Sequence, residues 1–172
     1  ERRMSVHQFD SLPRYVRFLQ ENPQEVEFLY KELLIGVTNF FRDPGLFDFL
    51  KEKAIPQLLQ SRTKDTPLRV WNPGCSTGEE PYTIAILLLE SGNWWRDWQV
   101  EIMGSDINQR VLHTARKGMY KKGSHRATPP DMLRKYFIDE GKGDYRIIDA
   151  VRRFVSFSYV NLLDPYKISL IR

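Results

Sequence analysis

The sequence predicts an α/β fold, a parallel sheet flanked by helices and preceded by a small helical region. Two short apolar runs, "LRVWN" (68–72) and "VEIMGSD" (100–106), each lead into a helical pattern, "EPYTIAILLLE" and "INQRVLHTARK". Strands that alternate with helices in this way pair in parallel. Ahead of them, two segments share one helix-start grammar and carry apolar residues at helical spacing. At 172 residues the chain suits one domain, or a small helical piece attached to a modest second one. The expected division is a helical N-terminal region over 1–36 and an α/β domain over 37–172.

The elements follow in order. In "ENPQEVEFLYKELLIGVTNFF" Asn22 stands at the N-cap and Pro23 at the first helical position, with Glu25 close behind. Val26, Leu29, Tyr30, Leu33 and Leu34 fall on one face. In "RDPGLFDFLKEKAIPQLLQ" Asp43 caps and Pro44 starts, and Leu46, Phe47, Leu50, Ala54 and Leu58 form the stripe. Pro56 is expected to kink or break that helix. "SRTKDTP" is a polar loop. The helix "INQRVLHTARK" stops at Gly118, a C-terminal glycine. A loop rich in Gly, Lys and Pro then runs to a short helix, "PDMLRKYF", and "DYRIID" and "FVSFSYVNLL" read as further strands of the sheet.

Composition narrows the function. Hydrophobic residues at 41% and aromatics at 13% supply a packed core and exclude a disordered chain. No apolar run approaches membrane-spanning length, and "ERRMSVHQF" lacks a signal peptide's apolar segment, so no membrane insertion is expected. Cys75 is the single cysteine, which excludes an intrachain disulfide and a cysteine metal cluster and makes a cytoplasmic setting the expectation. His7, His113 and His125 share no metal-ligand spacing. The net charge of +4 and pI near 9.2 point to an acidic partner. Arg110, Arg116, Lys117, Lys121, Lys122 and Arg126 follow one another with no Asp or Glu between. They read either as a solvated helix end and loop or as a surface for an acidic protein.

The segment "VWNPGCSTGEEPY" (70–82) carries the chemistry. In an open α/β sheet ligands bind outside the carboxyl ends of the strands, where this loop and Ser105-Asp106 both lie. Gly74 and Gly78 let backbone approach a ligand and adopt positive φ. Asp106, at the tip of the second strand, is placed to accept hydrogen bonds from ribose hydroxyls. Gly74 and Gly78 are four apart, not G-x-G-x-x-G, and a pyrophosphate would meet the like charge of Glu79 and Glu80. A nucleoside with a cationic end, such as S-adenosylmethionine, suits the loop better, a carboxylate there pairing with its ammonium. The alternative is that both glutamates only complement the helix dipole.

"TNFFRDPGLFDFL", "LRVWNPGCSTGEEPYTIAILL", "SDINQRVLHTARKGMY" and "FSYVNLL" occur in the order and spacing of the CheR family of chemotaxis-receptor methyltransferases. The chain resembles that family over nearly its whole length, with a likeness to the CheB/CheR hybrid type. The resemblance implies a Rossmann-like methyltransferase sheet, partial in this chain, behind a small helical domain. It further implies S-adenosylmethionine as cofactor, S-adenosylhomocysteine as product, and methyl transfer to receptor glutamates. Thr38 and Arg42 are similar to the family's cofactor-contacting threonine and arginine, and Arg42 is the candidate catalytic residue, its fork holding a carboxylate. Glu80 resembles the residue facing the methionine ammonium, Asp106 the acid on the ribose, and Asn161 and Leu162 the Asn-Leu pair beside the adenine. Gly74 and Gly78 complete the set. Phe40 and Phe41 read as core rather than as a cofactor stack, and Cys75 as a small buried residue.

Departures from the family pattern set further expectations. Gly36 stands where family members often have asparagine. The family continues past "DPYKISLIR" through a fourth strand, of which "KISLI" reads as the start, so the 37–172 domain is expected to be incomplete at its C-terminus. Without that strand "LRVWN" exposes an apolar edge and invites a homo-oligomer. "DYRIIDAVRRFVSF" is similar in place to a β-subdomain that docks a receptor tail in some members. The partner implied is an acidic helical region of a receptor or other signalling protein, faced by the basic stretch and by Arg2 and Arg3. A non-catalytic module that binds S-adenosylmethionine or S-adenosylhomocysteine is the alternative function. Nucleic acid is not expected, since "DPY" lacks one proline of the amino-methylating D-P-P-Y motif and no flipped-base pocket is in view.

Overall fold

The computed structural model describes residues 2–33 and 36–164, which fall into two units, Glu1–Ile35 and Gly36–Arg172. "KISLI", the Pro165-Tyr166 pair of "DPY" and Leu34 lie outside the described residues.

Charge organises the first unit. Its helices are α1 (Arg2–Val6), α2 (Leu12–Glu21) and α3 (Pro23–Leu33). Pro23 opens α3, as the sequence predicts. The predicted apolar face of α3 is largely open, with Val26 and Tyr30 46% and Leu33 67% exposed, whereas Glu25 is 4% exposed. Glu25 earns its place through partners. Arg3 donates Nε to Oε1 at 2.8 Å and Nη2 to Oε2, Tyr15 donates its hydroxyl to Oε1 at 2.7 Å, and His7 Nε2 lies 2.8 Å from Oε2. The Arg3 hydrogen bonds, outweighing burial, bring the Glu25 pKa down to about 2. Arg3 is therefore committed inside the unit rather than presented to a partner, which corrects the expectation for it. The side chain of Arg2 is 84% exposed.

In the second unit the helix after Pro44 continues through Pro56. It runs as α4 (Pro44–Phe49), a π-helical turn (Leu50–Ala54) and α5 (Ile55–Gln60). Proline offers no N–H and its ring crowds the carbonyl four residues back; a widened turn ahead of it removes that conflict without ending the helix. The extra residue rotates the stripe. Phe47 and Ile55 are buried and Leu59 packs on the core, while Leu46 and Leu58 stay 46% and 42% exposed. Asp43 occupies the N-cap without a side-chain capping bond.

The parallel sheet has the order β1–β2–β6, built from β1 (Leu68–Pro73), β2 (Val100–Asp106) and β6 (Val155–Tyr159). Val70 faces Ile102, and Ile102 faces Val155. Among the described residues β1 pairs with β2 alone. Helix α6 (Glu79–Glu90) follows β1 and is buried nearly all round, through Pro81, Tyr82, Thr83, Ile84, Ala85, Ile86 and Leu88. Its apolar run lacks a polar face for that reason. Helix α7 (Gln109–Lys117) follows β2; the Asn108 side chain accepts from the Arg110 amide at 3.0 Å, and Gly118 ends it.

A second sheet departs from the sequence expectation. β3 (Met119–Lys121), β5 (Asp144–Ile147) and β4 (Phe137–Gly141) form an antiparallel sheet in that order, with α8 (Pro130–Tyr136) ahead of β4 and α9 (Asp149–Arg152) after β5. "DYRIID" thus belongs to this sheet rather than the parallel one, and only the "VSF" end of "DYRIIDAVRRFVSF" joins the latter. β3 was hidden by its three residues, and β4 because Phe137 alone of its residues is buried.

Two outcomes test this account. At Gly78, φ is +90° and an added Cβ would lie 2.8 Å from Ala115 Cβ and 2.9 Å from Phe157 Cζ. Gly78→Ala is expected to cost about 2 kcal/mol or more in urea unfolding, through both strain and overpacking. Because the Glu25 pKa is depressed, its stabilisation is complete above pH 4.5 and is lost as pH falls toward 2. Circular dichroism should show an acid loss of helix in that window that Glu25→Gln lacks.

Candidate functional site

The site is assembled at the carboxyl ends of β1 and β2. The first turn after β1 passes through Gly74 at φ +68° and Ser76 at φ +50°. Asp106, ending β2, locks it: Oδ2 accepts the Ser76 amide at 2.9 Å while Oδ1 accepts the Asn108 amide at 2.8 Å. The Cys75 amide donates to the Ser105 carbonyl at 2.9 Å. Each Asp106 oxygen keeps acceptor capacity beyond these bonds. A Cβ built at Gly74 would meet nothing within 4 Å, so this glycine faces open space. Gly78, by contrast, is crowded by Ala115 and Phe157, and its role is packing and turn geometry rather than approach to a ligand.

The two glutamates opening α6 have different fates. Glu79 is 2% exposed and accepts from Thr77 Oγ1 at 2.6 Å and Ser124 Oγ at 3.1 Å. Burial raises its pKa against the lowering effect of those hydroxyls. Glu80 is half-buried and forms no hydrogen bond or ion pair among the described residues. Close by in the chain, Asn72 Oδ1 and Ser76 Oγ are buried without a partner.

The loop Thr38–Arg42 is fastened to the same unit by its backbone. The Phe41 amide, at φ +54°, donates to Thr83 Oγ1 of α6 at 3.3 Å, and the Phe40 amide donates to the Ser124 carbonyl at 2.9 Å. Phe40 and Phe41 are core, 0% and 8% exposed. Thr38 is half-buried, and the exposed Arg42 donates Nη1 to the Val37 carbonyl at 2.9 Å. At Gly36 an added Cβ would lie 3.0 Å from Ser76 Oγ, so a larger residue there would press on the β1 turn. Beyond β6, the Val160 amide donates to the Asp106 carbonyl at 3.2 Å, which brings the following Asn161-Leu162 pair to the same end of the sheet. Asn161 Oδ1 accepts the Leu163 amide at 3.0 Å, and Leu162 is 52% exposed.

Residues 36–170 match the family described as CheR methyltransferase, SAM binding domain. The chain belongs to this family. Its cofactor is accordingly S-adenosylmethionine, and the Rossmann-like sheet read from the sequence is the sheet observed. A chemotaxis protein methyltransferase of Borreliella burgdorferi is 31% identical over 166 residues, 94% of this chain and 59% of that protein. Chemotaxis protein methyltransferase 2 of Pseudomonas aeruginosa is 34% identical over 167 residues, 95% of this chain and 58% of its own length. An uncharacterized 104.1 kDa protein of Rhodobacter capsulatus is 36% identical over 167 residues, covering 96% of this chain and 17% of that protein. The chain thus spans under two thirds of these relatives.

The strand-end residues of this CheR domain fit such a cofactor. Unpartnered polar atoms at Asn72 and Ser76, a free carboxylate at Glu80, spare acceptors on Asp106 and open space over Gly74 suit a ligand rich in donors and carrying a cation. Cys75 is 2% exposed, and burial followed by the Asp106 charge pushes its thiol up to about 12, so it is no nucleophile. No described helix is long and apolar enough to cross a membrane.

Sequence reasoning passed over the groups that brace the site. Within the basic stretch, Arg116 donates to the Phe157 carbonyl at 2.9 Å, Lys121 pairs with Asp144 at 2.7 Å, and Arg126 donates to Asn39. All six basic residues of the stretch are nonetheless exposed. His125 is 7% exposed, stacks on Phe40 with ring centroids 5.0 Å apart, and leaves both ring nitrogens unpartnered. No spacing could announce these contacts, since Ser124 and Glu79 are 45 residues apart and Arg126 and Asn39 are 87.

Burial brings the His125 pKa down from 6.5 to about 4. The unfolded chain takes the proton first, so full stability holds above pH 6.5 and is lost as pH falls to about 4. The loss should approach about 3 kcal/mol. His125→Phe, which keeps the stack but cannot titrate, is expected to remove that slope when urea midpoints are compared between pH 7.5 and 4.5.

Proposed function

We propose that this chain holds the cofactor of an S-adenosylmethionine-dependent protein-glutamate O-methyltransferase that modifies chemotaxis-type receptors in the cytoplasm. The observation that carries the reading is the contrast at the start of α6: Glu79 is consumed by Thr77 and Ser124, while Glu80 keeps its carboxylate free. On this reading residues 37–172 form the cofactor domain, behind a helical region over 1–36. Glu80 pairs with the methionine ammonium, and Asp106 accepts the ribose hydroxyls while its two amide bonds hold the carboxylate still. Asn161 and Leu162 lie beside the adenine, Thr38 contacts the cofactor, Gly74 lets it close to the backbone, and Gly78 shapes the turn. When bound, S-adenosylmethionine supplies an electrophilic methyl group for an ionised glutamate and leaves as S-adenosylhomocysteine.

The protein then has little acid–base work to do, because the accepting carboxylate is already ionised near neutral pH. Its contribution is positioning and exclusion of water. Arg42 orients a carboxylate, of cofactor or substrate, with its guanidinium fork. The exposed Arg110, Lys117 and Lys122 favour an acidic helical partner, and the edge of β1 that pairs with no strand among the described residues would suit a second copy. The names of the Borreliella and Pseudomonas relatives, chemotaxis protein methyltransferases, support methyl transfer in chemotaxis. One observation favours the second reading, a non-catalytic cofactor-binding module: Arg42 turns back on the Val37 carbonyl. Transfer of a labelled methyl group to receptor protein separates the two.

Calorimetric titration with S-adenosylmethionine and S-adenosylhomocysteine tests the assignments. Asp106→Asn is chosen over alanine because its amide oxygen keeps one of the two acceptors that the Ser76 and Asn108 amides use. It and Glu80→Gln are each expected to weaken binding of S-adenosylmethionine about tenfold or more, the scale of one charge-assisted hydrogen bond. Wild-type affinity in both variants would refute these roles.

A further inference from the structure

We propose that Arg126 is a positioning residue for the loop Thr38–Arg42, acting through Asn39. In the same proposal the segment Tyr120–Arg126 clamps both loops of the cofactor site onto the antiparallel sheet. The inference rests on the cofactor reading above and adds residues to it.

The geometry is continuous. Arg126 directs Nε and Nη2 at one atom, Asn39 Oδ1, at 3.2 and 2.8 Å. Asn39 is 5% exposed, and its other end donates Nδ2 to the Phe40 carbonyl at 3.1 Å, so the side chain is held from both ends. The neighbouring residues of the clamp reach the same two loops. The Ser124 carbonyl takes the Phe40 amide at 2.9 Å, and the Ser124 hydroxyl reaches Glu79 at 3.1 Å. Tyr120 donates its hydroxyl to the Thr77 carbonyl at 2.9 Å, within the β1 turn. The His125 ring lies flat on Phe40, at an interplanar angle of 2°. At its other side the segment is tied to the sheet through β3 and through the Lys122 amide, which donates to Gly143 O at 2.9 Å.

The choice of side chains fits a positioning role. A guanidinium presents two N–H groups in a fixed fork, which sets the direction of the accepting oxygen as well as its distance. A lysine would hold a point and leave the angle free. Asn39 lies between Thr38 and the Phe40-Phe41 pair, so fixing its side chain fixes the backbone that carries Thr38 on one side and Arg42 on the other. Displacement of such a loop by a fraction of an ångström weakens a bound ligand without removing any contact residue.

The test is calorimetric affinity for S-adenosylhomocysteine, with thermal midpoints recorded beside it, for the wild type, Arg126→Ala, Asn39→Ala, their double variant, and Arg126→Lys with and without Asn39→Asp. Each alanine variant is expected to bind roughly tenfold more weakly, as for loss of one charge-assisted hydrogen bond. The double variant should be no weaker than Asn39→Ala alone, because that variant already removes the bond to Arg126 along with the one to the Phe40 carbonyl. Arg126→Lys alone should lose affinity, and adding Asn39→Asp should recover part of it, the new ion pair outweighing the lost donor to the Phe40 carbonyl; a merely structural residue would shift the midpoints without this pattern. Unchanged affinity in Arg126→Ala, or losses that multiply in the double variant, overturns the proposal. Should the alanine variants not fold, the lysine pair decides: no recovery overturns it. Absence of binding by the wild type defeats the cofactor reading itself, and this inference with it.

Discussion

Asp106 holds two backbone amides with one carboxylate, and the geometry of the whole strand end follows from it. One oxygen draws Ser76 into a left-handed turn after β1, and the other draws Asn108 into position to cap α7. Two crossovers of the sheet therefore share a single anchor. A charged acceptor suits this task, because bonds from amides to an ionised carboxylate are shorter and stronger than those to a neutral carbonyl. The same carboxylate keeps lone pairs free, so structure and ligand recognition are not in competition there.

Around that anchor the unit is built inward onto α6. α6 is covered nearly all round, by aromatic rings and β-strand side chains alike. Tyr82 meets Phe157 edge-on at 5.3 Å and spends its hydroxyl on the Ala115 carbonyl at 3.0 Å. Phe40 meets Tyr120 and Phe137 edge-on, each at 4.8 Å. Edge-to-face contacts of this kind bring geometric preference as well as buried area. The loops at the strand ends are thus short spans between rigid supports, which is how a site stays ordered when its own residues are polar.

Much of this was legible in the chain, and the exceptions have physical causes. The turn between β1 and α6, the acid ending β2 and the glycine ending α7 each depend on residues adjacent in sequence, where local rules apply. Strands β3 and β4 of the antiparallel sheet escaped, because a three-residue strand carries no periodicity and β4 buries a single side chain, whereas β5 lies in the stretch likened to a β-subdomain. After Pro44 the stripe departs from ordinary helical spacing because the π turn shifts its phase. Of two neighbouring glutamates, Glu79 is the occupied one because Thr77, two residues away, and Ser124, far along the chain, both donate to it. The helix after Pro23 carries apolar residues at helical spacing, yet the buried centre of its unit is a carboxylate answered by an arginine, a tyrosine and a histidine.

The π turn at Leu50–Ala54 has a consequence for how the chain can change over time. α4 is fixed by the Phe41 amide bonded to Thr83 ahead of it and by its own buried Phe47 ring. α5 is fixed separately, by Ile55 and Leu59 against the core. The wide turn between them absorbs the mismatch between these two registers, so the two halves need not share one phase. A helix jointed in this way is a place where a lineage can gain or lose a residue while both ends keep their seats.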